Sequence, residues 1–150
     1  MNDTKMALSL YESCKKIVID TGEIVESSKS SNFKVIRKSA RELVTEIDLR
    51  AQNHISEALK SICECPIFFE EDKTDGQTKL PDDCFIVDPI DATHNLVAGL
   101  PFYNVSIGYI KNSEIVFGIV YFPYSKEIYH AFKGKGAFKG SEKIMVSNNS

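Results

Sequence analysis

The segment Asp88-Pro89-Ile90-Asp91-Ala92-Thr93 sets two carboxylates on either side of a proline-bearing corner, directly after the apolar run Cys84 to Val87. A run of that kind reads as a buried strand that delivers Asp88 at its end. Pro89 fixes one backbone angle and has no N–H, so where the chain turns at Ile90 the carbonyl of that residue can join the two carboxylates. Such a set of hard oxygens suits Mg2+. Asp91 also stands where a helix can begin, with Ala92, Thr93 and residues 96–98 as its turns, Gly99 as its stop and Pro101 beyond. The first amides of that helix, at Ala92 and Thr93, would hold phosphate oxygens beside the cation, aided by the helix dipole. Spacing alone leaves a second account open, in which Asp91 is only a helix cap and Asp88 only a turn residue.

A second acidic group, Glu70-Glu71-Asp72, follows the short apolar run Ile67 to Phe69. By itself a run of three acids is usually a solvated loop. Two acidic strand ends this close in the chain raise the case for a shared cation, because that much negative charge in one cleft needs compensation.

The elements that must carry these residues follow from periodicity. Met6, Leu10, Cys14, Ile17, Val18, Ile24 and Val25 recur at helical spacing, and the pattern ends in the polar run at residues 27–32. The tract Phe33 to Arg37 reads as a short strand, with a turn or loop at residues 38–42 leading into Leu43 and Val44. From Thr45 a second helical pattern runs through Ile47, Ala51, Ile55, Leu59 and Ile62, with Asp48 in its first turn or at its cap, and Pro66 stops it. Three strand-like runs span residues 104–111, 114–122 and 127–132, separated by Asn112-Ser113 and Pro123-Tyr124-Ser125. Two helices followed by a run of strands predict an α+β or layered α-β-α fold, with the helices packed on a largely antiparallel sheet.

The bulk numbers agree with one globular domain. The chain has 150 residues, of which 43% are apolar and 26% charged, enough for a shared core. A net charge of -3 gives no general attraction to a polyanion, so nucleic acid is not an expected partner. No run approaches the roughly 20 apolar residues of a membrane span, and residues 1–10 lack a signal-peptide pattern. Cys14, Cys63, Cys65 and Cys84 complete no zinc pattern. They are expected to be reduced thiols of a cytoplasmic protein, with Cys63 and Cys65 serving ordinary packing.

Taken together, Glu70-Glu71, Asp88 to Asn95, Gly99-Leu100-Pro101 and Val105-Ser106-Ile107-Gly108 resemble the motifs of the inositol monophosphatase family. Leu43 to Asp48 is similar to the family's Val-Thr-x-x-Asp segment, Lys38 to the lysine of its mobile loop, and Gly134 to Phe138 to its Gly-x-Gly-Ala hairpin. The resemblance covers essentially the whole chain. It implies that Glu70, Asp88 and the Ile90 carbonyl hold one Mg2+, that Asp88 and Asp91 share a second, and that Asp48 and Thr93 orient the attacking water. Glu70 is thereby implicated in catalysis as well as in metal binding. The implied reaction is in-line hydrolysis of inositol monophosphate or a similar small sugar phosphate by metal-activated water, in a homodimer. From the residues alone, Thr93 and Asp48 are equally readable as helix-start groups, and Lys38 as a solvated surface charge.

Two departures and one length stand out. Ala92 occupies the position of a family glycine, and Phe69 precedes Glu70 where glycine is usual. A methyl group at Ala92 is costly if the backbone there has positive φ and is tolerated at an ordinary helical angle. The family also implies a second half beyond Ser150, bearing an aspartate that completes the second metal site. Residues 1–150 are therefore expected to be the N-terminal metal-binding half of the fold. Beside the phosphatase reading stand a catalytically silent module of the same fold, and a related phosphatase acting on fructose 1,6-bisphosphate or 3′-phosphoadenosine 5′-phosphate.

Overall fold

The computed structural model describes residues 2–30, 32–37, 43–70 and 80–147. Helix α1 (Asn2–Ser28) buries Leu10, Cys14, Val18, Thr21 and Val25, one residue in every three or four, as a helix facing a core on one side must. Strands β1 (Val35–Arg37) and β2 (Leu43–Thr45) form a small antiparallel pair that hands the chain directly to α2 (Glu46–Ile62). That helix buries Ile47, Ala51, Ile55 and Leu59 at a four-residue interval. Most of the α1 stripe and Ile55 and Leu59 of α2 meet the sheet in a core that includes Phe85, Val87, Val105, Ile107, Tyr109, Phe117, Ile119 and Tyr121, while Val25, Ile47 and Ala51 pack with Ile90, Leu96 and Tyr103 in a second cluster.

The sheet has seven strands in chain order: β3 (Ile67–Phe69), β4 (Cys84–Asp91), β5 (Asn104–Lys111), β6 (Glu114–Phe122), β7 (Glu127–Phe132), β8 (Gly136–Lys139) and β9 (Glu142–Ile144). Every pairing is antiparallel except β3 with β4. The expected helices on a mostly antiparallel sheet are thus observed, and the three runs of the meander have the expected bounds. Asn112 and Ser113 link β5 to β6 with φ 52° and 60°, the two positive angles of the tight turn whose twist suits a hairpin. Alternation then sends Phe117, Ile119 and Tyr121 of β6 to the helices, while Gly118 and Val120 take the other face. Gly22 lets α1 approach closely, because a Cβ there would lie 2.5 Å from the ring of Tyr121.

Three expectations need correction. Asp91 does not open a helix: it pairs with Asn104 as the last residue of β4, and α3 (Thr93–Val97) begins after Ala92. The short polar strand β9, absent from the sequence reading, extends the sheet by one member. Cys63 and Cys65 are joined by a disulfide rather than left as packing thiols. Cys63 caps α2 in an extended conformation, φ -156° and ψ 135°, which turns residues two apart toward the same side. Cys14 and Cys84 are free and buried, and burial pushes the Cys14 thiol up to about 12.

Candidate functional site

A strand alternates its side chains, so Asp88 and Asp91, an odd number of residues apart, would ordinarily point to opposite faces. The register of β4 on β5 removes that conflict. Asp88 lies opposite Ser106 and Asp91 opposite Asn104, so two residues of β4, Pro89 and Ile90, stand against Val105 alone. This is a β-bulge. Proline is at home in a bulge, where no ladder N–H is required. Since Ser106 and Asn104 share a face, the bulge brings both aspartates to it, away from the helices that cover Val87 and Val105.

Glu70 arrives from the neighbouring strand. In the parallel pair Phe69 lies beside Val87, and the Glu70 N–H donates to the Val87 carbonyl at 3.0 Å. The next residue on each strand is a carboxylate, so Glu70 comes level with Asp88. Burial pushes the Asp88 carboxyl up to about 7, with the charges of Glu70 and Asp91, then Asp48, adding to the effect and the Ile90 N–H opposing it. The four acids therefore occupy one electrostatic neighbourhood. Among the described residues, no three Asp, Glu, His or Cys side chains converge closely enough to form a metal cluster as they stand. Asp88 Oδ1 instead accepts from its own Ile90 N–H at 3.2 Å, and Asp91 Oδ2 accepts from Asn104 Nδ2 at 2.9 Å.

A second arrangement forms where two helices begin. Thr45 caps α2: its hydroxyl accepts from the Ile47 and Asp48 amides, while Asp48 Oδ2 accepts the Thr45 N–H at 2.7 Å and the Thr45 hydroxyl. This capping box fixes one Asp48 oxygen and leaves the other to reach α3. There Thr93 Oγ1 donates to Asp48 Oδ1 at 2.7 Å and lies 3.1 Å from the Ile90 carbonyl. Asp48 is 5% and Thr93 8% exposed, so the pair is held dry and rigid. Each group caps or opens a helix as the plain reading had it, and the two are also bonded to each other across 45 residues of chain.

Between them sits Ala92, with φ 66° and ψ 47°. The chain must swing from strand to helix in one residue, and a left-handed angle achieves this. Of the two outcomes the sequence left open at Ala92, the costly one holds, at about 1–2 kcal/mol for a residue with a Cβ. The carbonyl of Ala92 accepts from the Asn95 amide at 2.9 Å. Asn95 then ties down the following loop, donating from Nδ2 to the Phe102 carbonyl at 2.6 Å and accepting the Leu100 N–H at 2.8 Å.

The structure thus brings Asp48, Ile90 and Thr93 into direct contact and sets Glu70, Asp88 and Asp91 beside them on one sheet face. Lys38, Glu71 and Asp72 lie outside the described residues. The sequence reading quoted Thr45 only as part of a motif, with no role of its own, and did not single out Asn104. The Thr-x-x-Asp spacing of a capping box could have found the first, whereas the second depends on a cross-strand register with no local signal.

Fold and site together are those of a layered α/β protein with an acidic centre where adjacent strands end. The chain belongs to the inositol monophosphatase family, whose sequence profile matches residues 7–150. It is 34% identical over 136 residues to a fructose-1,6-bisphosphatase/inositol-1-monophosphatase of Thermotoga maritima, covering 89% of this chain and 48% of that protein. Inositol monophosphatase 1 of Bos taurus is 35% identical over 131 residues, covering 85% of this chain and 47% of its own length. Among solved structures, a Thermotoga maritima IMPase superposes with a TM-score of 0.85 at 31% identity, over 94% of this chain and 55% of that one. The chain thus spans about half the length of the curated relatives it matches. These relatives are phosphatases, so the family is one of hydrolases. Among the described residues no helix is long and apolar enough to cross a membrane.

Proposed function

We propose that residues 1–150 are the metal-binding N-terminal half of a Mg2+-dependent phosphomonoesterase that hydrolyses inositol monophosphate or a similar small sugar phosphate. The observation that carries this reading is the alignment of Glu70, Asp88 and Asp91 on one face at the ends of β3 and β4. The donor set fits the ion: three carboxylates and the Ile90 carbonyl are hard oxygens, and the Asp88 carboxyl, pushed up first by burial and then by the charges of Glu70 and Asp91, would be relieved by a cation. Bound there, Mg2+ would polarise the phosphate and lower the pKa of a coordinated water.

The chain's own groups supply orientation. Thr93 carries one hydroxyl proton, directed at Asp48 and Ile90, so its lone pairs are left to accept from a water O–H. Asp48, locked by Thr45, keeps the hydroxyl in that rotation. The backbone at Ala92 and Thr93 opens α3 toward the same corner and is the proposed contact for the substrate phosphate. Lys38 is proposed to correspond to the lysine of the family's mobile loop.

The test is phosphate release from inositol 1-phosphate with Mg2+, by this chain together with any polypeptide encoded after Ser150. Asp91→Asn is expected to remove activity; hydrolysis equal to the unaltered protein would falsify the reading. The dual name of the Thermotoga relative favours adding fructose 1,6-bisphosphate as a second substrate. The left-handed backbone of Ala92, where the family carries glycine, favours a second reading, a module that binds the ion without turnover, which requires Mg2+ binding with no release from either ester.

A further inference from the structure

Asn104 has no part in the roles assigned above, yet its side chain is fixed on one of them. It is the first residue of β5 and the cross-strand partner of Asp91, and its Nδ2–H donates to Asp91 Oδ2 at 2.9 Å. A carboxylate has about four lone-pair directions. A single donor on Oδ2 consumes one of these and restrains the group's rotation, which leaves Oδ1 as the oxygen outside that bond.

The donor is anchored from behind. Tyr103, next in the chain, is 2% exposed, donates its hydroxyl to Glu26 and receives Lys29 Nζ at 2.8 Å. The carbonyl of Phe102 is held by Asn95. The backbone at Asn104 is therefore tied to the end of α1 on one side and to α3 on the other. Its bond to Asp91 closes a ring that runs through Ala92, Asn95, Phe102 and back.

We propose that Asn104 is a positioning residue for Asp91, setting which carboxylate oxygen is presented to a divalent cation held jointly with Asp88. The inference rests on the proposed metal site and adds to it a residue that acts through Asp91 alone. Groups that orient a ligand in this way are worth 10–100-fold in metal affinity. Because this bridge is open to water, the low end, about 10-fold, is expected.

Mg2+ binding to the chain, measured by calorimetry, tests the idea with four proteins: unaltered, Asn104→Leu, Asn104→His and Asp91→Ala. Asn104→Leu keeps the shape without the donor, so it should weaken Mg2+ binding about 10-fold while leaving the metal-free melting temperature unchanged. Asn104→His places a ring N–H where Nδ2 was and should restore most of the loss. Unchanged affinity in Asn104→Leu, or failure of Asn104→His to regain it, overturns the positioning role while Asp91→Ala still reports on the site. If Asp91→Ala binds as well as the unaltered chain, or if that chain binds no Mg2+, both the metal-site reading and the inference fall.

Discussion

The meander β5–β6–β7 and the corner from Asp88 to Thr93 are built from adjacent stretches of chain under opposite rules. From Phe117 to Tyr121 of the meander, alternation is kept: Phe117, Ile119 and Tyr121 face the helices, the single register shift of β5 on β6 falls near the hairpin end at Tyr109 and Ile110, and the Asn112-Ser113 hairpin adopts a turn geometry that suits the strands it joins. At the corner, alternation is broken by a bulge, a left-handed angle falls on an alanine, and acids from two strand ends are set side by side. One region is arranged for stability, and the other carries strain and charge that a purely structural element would shed. Residues that oppose the fold's own preferences mark where its chemistry resides.

This contrast predicts opposite signs for substitutions. The largest effect belongs to the meander: Phe117→Ala should lose about 3–5 kcal/mol of unfolding free energy, measured by urea melts, because the ring is buried against Tyr11, Tyr109 and Phe132. A loss below about 1 kcal/mol would remove the claim that this core holds the chain together.

Asp88→Asn should behave in the reverse way. The Asp88 carboxyl is raised in the folded chain to about 7, so the folded state binds its proton more tightly than the unfolded state does. Its contribution to stability is complete below the ordinary carboxylate value of about 4 and is lost as pH rises to about 7. Asparagine can still accept the Ile90 N–H and carries no charge. In metal-free buffer, the melting temperature of the unaltered chain relative to Asp88→Asn should fall between about pH 4 and pH 7, with Asp88→Asn the more stable protein at pH 8. A difference that stays flat across this range would mean that Asp88 is not under charge pressure.

Two smaller changes sharpen the comparison within the corner. Thr45→Ala removes the capping hydroxyl and should cost about 1 kcal/mol; in the proposed enzyme it should also lower turnover more than it raises KM, since the residue it frees is Asp48. Ala92→Gly should gain up to about 1 kcal/mol by relieving the positive φ, visible as a rise in melting temperature. A loss instead would show that packing of the Ala92 methyl against the buried cluster that includes Ile90 and Leu96 outweighs the backbone term.

The meander was legible in the sequence because its information is local: a period of two, turn residues between the runs, and a helix pattern that supplies the other half of the core. The two helices were legible for the same reason. The acids of the corner were legible by type, through Asp88, Asp91 and Glu70. Their geometry was not, because the place of Asp91 is decided by Asn104, thirteen residues on, and not by its neighbours. An aspartate before a short apolar stretch looks like a helix start, and here pairing across strands overrides that preference. The Cys63–Cys65 bond was hidden in the same way, since it depends on how α2 ends rather than on which residues end it.

The extra residue between Asp88 and Asp91 acts as a shift of phase in the two-beat rhythm of the sheet. Deleting either Pro89 or Ile90 would restore the rhythm and rotate Asp91 through the sheet, toward the layer where Val25, Ile47 and Tyr103 are buried. Point substitutions at this corner leave the phase intact and can be sampled one at a time. A change of length by one cannot, so the spacing of the two acids and the irregular ladder that carries them must be inherited together.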